Sequence, residues 1–197
     1  GVFSNNKFLK TILIPPSVET ITNYAFINCD AIPVVDVNST SFYSSDSIIF
    51  NKSQTKTVYC SKLKKGKYTI PSTVKTIGAY TFVNSRLDSV IIPNSVTEIE
   101  PGAFNCSAIK YVDIPSSVTS IGYNAFSFCL ELKSIRIPAS VKNIGFAAFA
   151  SNNDCKLSSI TILNPIPPTL TGSSDVFSNV NKTKCVLYVP SGTKVAY

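Results

Sequence analysis

The chain has 197 residues, an apolar share of 44% and a charged share of 15%, well under the ~25% usual for soluble domains, and no apolar run near the ~20 residues of a membrane-spanning helix. Its net charge of +7 comes from 16 Lys and only 2 Arg, a balance that argues against nucleic-acid readout built on the Arg fork. There is no His, which removes Ser-His and Cys-His catalytic pairs.

In chain order, the first element is the strand phrase "LKTILI" at 9–14, running directly into a longer phrase from Ile14 to Phe26. The strand phrase returns as "IPVVDV" at 32–37, but its usual continuation is replaced by some thirty residues. Within them, alternating stretches around Ile48–Phe50 and Thr57–Tyr59 flank the turn-like "NKSQTK", which predicts a β-hairpin in a long repeat over about 38–70. Regular copies then start at Ile70, Ile92, Ile114 and Ile137, spaced 22, 22 and 23 residues apart. With the copy at Ile14 they share one skeleton, Ile-Pro-x-x-Val-x-x-Ile-x-x-x-Ala-Phe, in which Thr81 once replaces Ala. The pattern loosens through "LSSITILNPIPPTL" into an atypical terminal repeat over about 157–197. A repeat of 20–29 residues with a Leu-x-x-Ile-x-Ile strand signals a leucine-rich repeat solenoid.

The phrase has a physical reading. In "LKSIRIP", alternation turns Ile135 and Ile137 inward and Ser134 and Arg136 outward. Proline ends the strand, Val141 and Ile144 supply a second inward row, Gly145 permits a bend, and Ala148-Phe149 packs a short helical turn inside. One rung cannot bury this face alone, so rungs must stack. The expected fold is a β-rich, right-handed solenoid of about eight rungs of 22–33 residues with one hairpin insertion, a rod of roughly 35–40 Å at ~4.8 Å per rung. The length suits a single domain over 1–197. The mid-phrase start and the absence of Met mark it as a piece of a longer protein.

The phrase "IPxSVxxIGxxAFxxC" resembles the BspA-type, or Treponema pallidum-type, leucine-rich repeat over nearly the whole chain. The resemblance extends to the hairpin-bearing segment and to the terminal "CVLYVPSGTKVAY". It implies a bacterial cell-surface or secreted protein that adheres to host or bacterial partners, with no active site to transfer.

The six cysteines are expected to be reduced. Cys29, Cys106 and Cys129 fall two or three residues after the repeat Phe, where Asn6 and Asn84 stand in other copies, and Cys155 is a displaced version. That is the buried turn column of a leucine-rich repeat, suited to small, weakly polar side chains. Cys60 and Cys185 lie off the column. No Cys-x-x-Cys pair suggests zinc, no cofactor motif occurs, and the closest acid pair, Glu98 and Glu100, flanks the inward Ile99 so that both point outward.

Recognition is expected on the outward face of the first strand wall, as solenoids commonly use it. One outward column reads Thr11, Val34, Lys67, Ser89, Tyr111, Ser134 and Ser159; the next reads Leu13, Asp36, Thr69, Ile91, Asp113, Arg136, Thr161 and Tyr188. Ile91, Tyr111, Asp113 and Arg136 cluster on three consecutive rungs, Asp113 pairing with Arg136, with Leu13, Asp36 and Tyr188 as further candidates. A basic arm of Lys62, Lys64, Lys65 and Lys67 offers contact with acidic glycans or protection of a sheet edge. The sequence thus reads as a non-enzymatic surface module. Its expected partners are extracellular-matrix or other surface proteins, with acidic glycans as the alternative ligand, and neither nucleic acid nor a cofactor. A structural spacer is the alternative and a carbohydrate-active enzyme a distant third.

Overall fold

The structure, a computed structural model, describes residues 2–152, 154–172 and 175–194. Two strands open it, β1 (Thr11–Ile14) and β2 (Ile32–Val35), paired in parallel. The long segment follows as β3 (Phe42–Ser45), β4 (Ile48–Asn51) and β5 (Lys56–Cys60), each antiparallel to the next. Then come β6 (Lys65–Thr69), β7 (Thr76–Ile77), β8 (Arg86–Ile91), β9 (Glu98–Ile99), β10 (Tyr111–Asp113), β11 (Ser120–Ile121), β12 (Ser134–Ile137), β13 (Asn143–Gly145), β14 (Ser159–Ile162), β15 (Thr169–Thr171) and β16 (Val186–Tyr188). From β6 onward even-numbered strands build the first wall and odd-numbered strands the second. Among the described residues eight strands line the first wall, which gives about seven turns of a solenoid from β1 to β16.

Each position of the repeat has a mechanical reason. The inward rings stack in file: Phe82, Phe104, Phe126 and Phe149 lie 5.0, 5.0 and 5.4 Å apart, almost parallel. Their spacing is that of neighbouring strands. Two of the residues before the repeat Val tie rungs together, Ser95 donating its hydroxyl to the Val74 carbonyl at 2.7 Å and Ser117 to that of Val96 at 2.6 Å. At the next-to-last rung Asn164 takes over, its amide donating to Val141 O at 2.8 Å.

The expected helical turn is instead a pair of i to i+3 turns, as where Ala148 N–H donates to Gly145 O at 3.2 Å. No α-helix occurs among the described residues, and no helix is long and apolar enough to cross a membrane. Gly145 is needed for proximity rather than for a bend: a Cβ there would lie 2.3 Å from Tyr123 N on the neighbouring rung. The bends fall two residues before and after the Phe, in left-handed conformations at Tyr80, Gly102, Asn124 and Ala147 and at Asn28, Asn84, Cys106 and Phe128.

The hairpin is present, but it does not project as an arm. β5 pairs in parallel with β7, so β5, β4 and β3 extend the second wall into one eight-stranded sheet. β4 is buried on both faces: Ile48 and Phe50 belong to the main core, and Ile49 belongs to a smaller core with Ile12, Ile14, Phe26 and Phe42. Tyr59 of β5 packs into the smaller core, its ring 4.6 Å from Phe26, and its hydroxyl proton is shared between Cys29 O and Ala31 O. The segment is an internal partition between the first two rungs and the rest.

Candidate functional site

The first wall is not continuous. It consists of β1-β2, then β6-β8-β10, then β12-β14-β16. Between β10 and β12 a backbone bond from Lys133 N–H to Lys110 O, 3.3 Å, crosses the junction without a strand ladder. Beside this junction a shallow groove of about 490 Å³ runs across β6, β8 and β10, with Ser134 of β12 at its far side. Its outward lining is Lys67, Ser89, Ile91, Tyr111 and Asp113. Strand register produces this set directly: Ser89 sits between Lys67 and Tyr111, and Ile91 between Thr69 and Asp113. The result is an apolar floor of Ile91 and Tyr111 with a cation on one flank and a carboxylate on the other.

Tyr111 is held by a residue absent from the sequence expectation. Lys133 donates to the Tyr111 hydroxyl at 3.1 Å, and its ammonium lies 5.4 Å from the ring centroid. The signal was a charged residue recurring just before the first-wall strand, as with Lys110 and Lys133. Related pairs edge the wall: Lys110 with Asp88 at 2.6 Å and Lys156 with Glu131 at 2.7 Å. The Asp88 hydrogen bond raises the Lys110 pKa, and the Lys156 bond lowers that of Glu131.

Ile91, Tyr111 and Asp113 therefore converge, and Lys67 joins them. Arg136 does not. It is exposed on β12 opposite Thr161, and no ion pair links it to Asp113 among the described residues, because the ladder lapses between their strands. Leu13 is exposed on β1 and faces Val34 rather than Asp36, so the proposed columns slip by two residues at β2. Asp36 lies beyond β2, where its carboxylate accepts from Asn38 N–H at 2.8 Å in a local turn. Tyr188 is exposed on β16, two strands past Arg136.

The four lysines separate as well. Lys62 approaches Asp30 at 3.8 Å and Lys64 pairs with Asp46 at 2.5 Å, their side chains only 16% and 12% exposed. Lys64 also lies over the Tyr68 ring. Lys65 stands opposite Arg86 on the wall itself. Of the acid pair, Glu98 is exposed and Glu100 is engaged, accepting from the Lys56 ammonium and from Ala79 N–H.

All six cysteines are free. Cys29 and Cys129 are buried three residues after their Phe, and Cys129 donates to Phe104 O at 3.1 Å. Burial pushes the Cys129 and Cys60 thiols up to about 12. Cys106, expected inside, is exposed, because it sits two residues after Phe104 at the left-handed position, φ 54°. Cys60 closes β5 in the main core, and Cys185 packs against that core just ahead of β16.

Comparison with known proteins agrees with this geometry. The profile described as BspA type Leucine rich repeat region matches in six copies over residues 1–65 and 57–184. Among solved structures, the pneumococcal vaccine antigen PcpA is 26% identical with a TM-score of 0.77, covering 98% of this chain and 53% of its own. A leucine rich cell surface protein from Faecalibacterium prausnitzii is 25% identical at a TM-score of 0.75, covering 95% and 50%. A leucine-rich repeat protein from Eubacterium ventriosum is 25% identical at 0.61, covering 85% and 56%. The chain thus spans about half the length of these structures. Curated proteins yield no match.

Proposed function

We propose, from the premise that this chain belongs to the BspA-type leucine-rich repeat family, that it is a non-enzymatic recognition module displayed at a bacterial surface. Protein partners bind the groove across β6, β8 and β10. The observation that carries this reading is the groove itself. Tyr111, oriented by Lys133, is a half-exposed aromatic anchor beside Ile91, and Lys67 and Asp113 flank it with opposite charges. Aromatic anchors ringed by polar groups are what protein interfaces use for affinity, and opposite flanking charges fix the partner's direction. Relatives that are a cell surface protein and a vaccine antigen support the location. The engagement of Glu100 by Lys56 speaks against a hydrolytic acid pair.

The test is binding to an array of extracellular-matrix proteins and to whole cells. The variant Lys67→Glu with Tyr111→Ala should lose about tenfold or more in affinity. Glu98→Ala, on the opposite wall, should bind as the parent does. Equal binding by the two variants would place recognition elsewhere.

A further inference from the structure

A second surface lies on the opposite side of the solenoid, where the second wall turns toward the ring file. Backbone bonds define a row along the axis there: Tyr80 N–H donates to Pro101 O, Gly102 N–H to Tyr123 O, and Asn124 N–H to Phe146 O. Tyr80, Pro101, Tyr123 and Phe146 thus occupy successive rungs, and Tyr24 adjoins Tyr80 with ring centroids 5.0 Å apart. Five ring-bearing residues follow one another on the outside of the molecule. Tyr24, Tyr123 and Phe146 are 50%, 45% and 43% exposed. Nothing in the core requires them.

The row carries no charged side chain of its own. The Tyr80 ring lies over Gly102, where a Cβ would come within 2.3 Å of it, so the slot between rungs is filled. The Tyr24 and Tyr80 hydroxyls are 3.4 Å apart. Burial, with the neighbouring Tyr24 and Tyr123 hydroxyls, raises the Tyr80 phenol, which stays protonated. The neighbouring carboxylate, Glu100, is neutralised by Lys56. Tyr80 also adopts φ 56°, a conformation that costs a bulky side chain energy and that the next rungs give to Gly102, Asn124 and Ala147.

We infer that this row binds an uncharged, extended polysaccharide, its sugars stacked along the tyrosines. Aromatic faces are electron-rich and attract the C–H-bearing face of a sugar ring, while protonated phenols donate to and accept from its hydroxyls. A row of neutral groups within a chain of net charge +7 matches a neutral ligand, and rungs 5.0 Å apart along the ring file match the repeat of a linear, equatorially linked glycan. A polyproline peptide needs open slots between aromatic rings, and Tyr80 closes the slot at Gly102.

The probes are cellohexaose and chitohexaose, with the curved maltohexaose and a proline decapeptide for contrast. Binding is read by tyrosine fluorescence, since the chain has no Trp, and by retardation in gels containing soluble polysaccharide. At least one of the two extended hexaoses should bind saturably and more tightly than maltohexaose. Tyr80→Asn with Tyr123→Ala should weaken that binding by about tenfold or more, Asn being tolerant of the left-handed backbone. Tyr80→Phe, which keeps the ring, should retain most of the affinity, and Tyr111→Ala on the first wall should retain all of it. Failure of both extended hexaoses to bind, binding untouched by loss of the two rings, or saturable binding of the proline peptide alone would each overturn the assignment.

Discussion

At the scale of single residues, the repeat is held by positions that tolerate little change. Phe126 is 2% exposed and stacked between Phe104 and Phe149. Truncating a ring in a file leaves a void that neither neighbour can close, so Phe126→Ala should destabilise by about 3–5 kcal/mol, read as a fall in thermal midpoint. Gly145→Ala should cost more than the ~1 kcal/mol of an average substitution, because the new methyl meets the backbone of the adjacent rung rather than a movable side chain. The thiols give a pH dependence with a definite sign. Cys60 and Cys129 rise from 9.0 to about 12 on folding, so the unfolded chain loses their protons first. Stability should therefore be unaffected by them below about pH 9 and fall as pH rises from there toward 12, as denaturant midpoints measured across that range would show. In native alkylation at pH 8, Cys106 should react first, while Cys29, Cys60 and Cys129 stay unlabelled until unfolding.

Among elements, the hairpin departs furthest from the repeat, and its position explains its composition. A strand with one face in solvent alternates apolar and polar residues; Ile48, Ile49 and Phe50 are apolar without a break because β4 faces two cores. Ile49→Ala should loosen the core of the first two rungs, and Ile48→Ala the main core, each by a few kcal/mol. Hydrogen exchange separates them: Ile49→Ala should accelerate the amides of β1 and β2 while those of β8 to β13 stay protected. Equal acceleration in both regions would mean that the partition transmits strain rather than dividing it. The break between β10 and β12 has the opposite character. It removes a ladder at one edge of the groove, and Lys133 restrains Tyr111 where strand pairing gives out.

For the whole molecule, stability in a stacked array is a sum over rungs and their contacts, so protection from exchange should be highest in the middle and lowest where strands are most exposed. β15 and β16 expose every residue, and their amides should exchange fastest among the strands, with β9 and β11 slowest. How far this was legible follows from what repeats encode. The period, the inward Ile, Val and Phe positions, the parallel strands and the presence of a hairpin were all readable, since each rung repeats the same local demand: bury one stripe and pair with the next rung. The candidate surface was half legible. Ile91, Tyr111 and Asp113 could be placed on one face by alternation, but Arg136 and Asp36 fell away from it. Alternation gives the face on which a side chain lies; it does not give whether adjacent rungs stay in ladder. The lapse at β10, the two-residue slip at β2 and the insertion of β4 between two cores arise from packing between segments distant in sequence. The tyrosine row was missed for the same reason: Tyr24 and Tyr80 are 56 residues apart, at phrase positions where no inward residue is required, and only the stacking of rungs sets their rings 5.0 Å from one another.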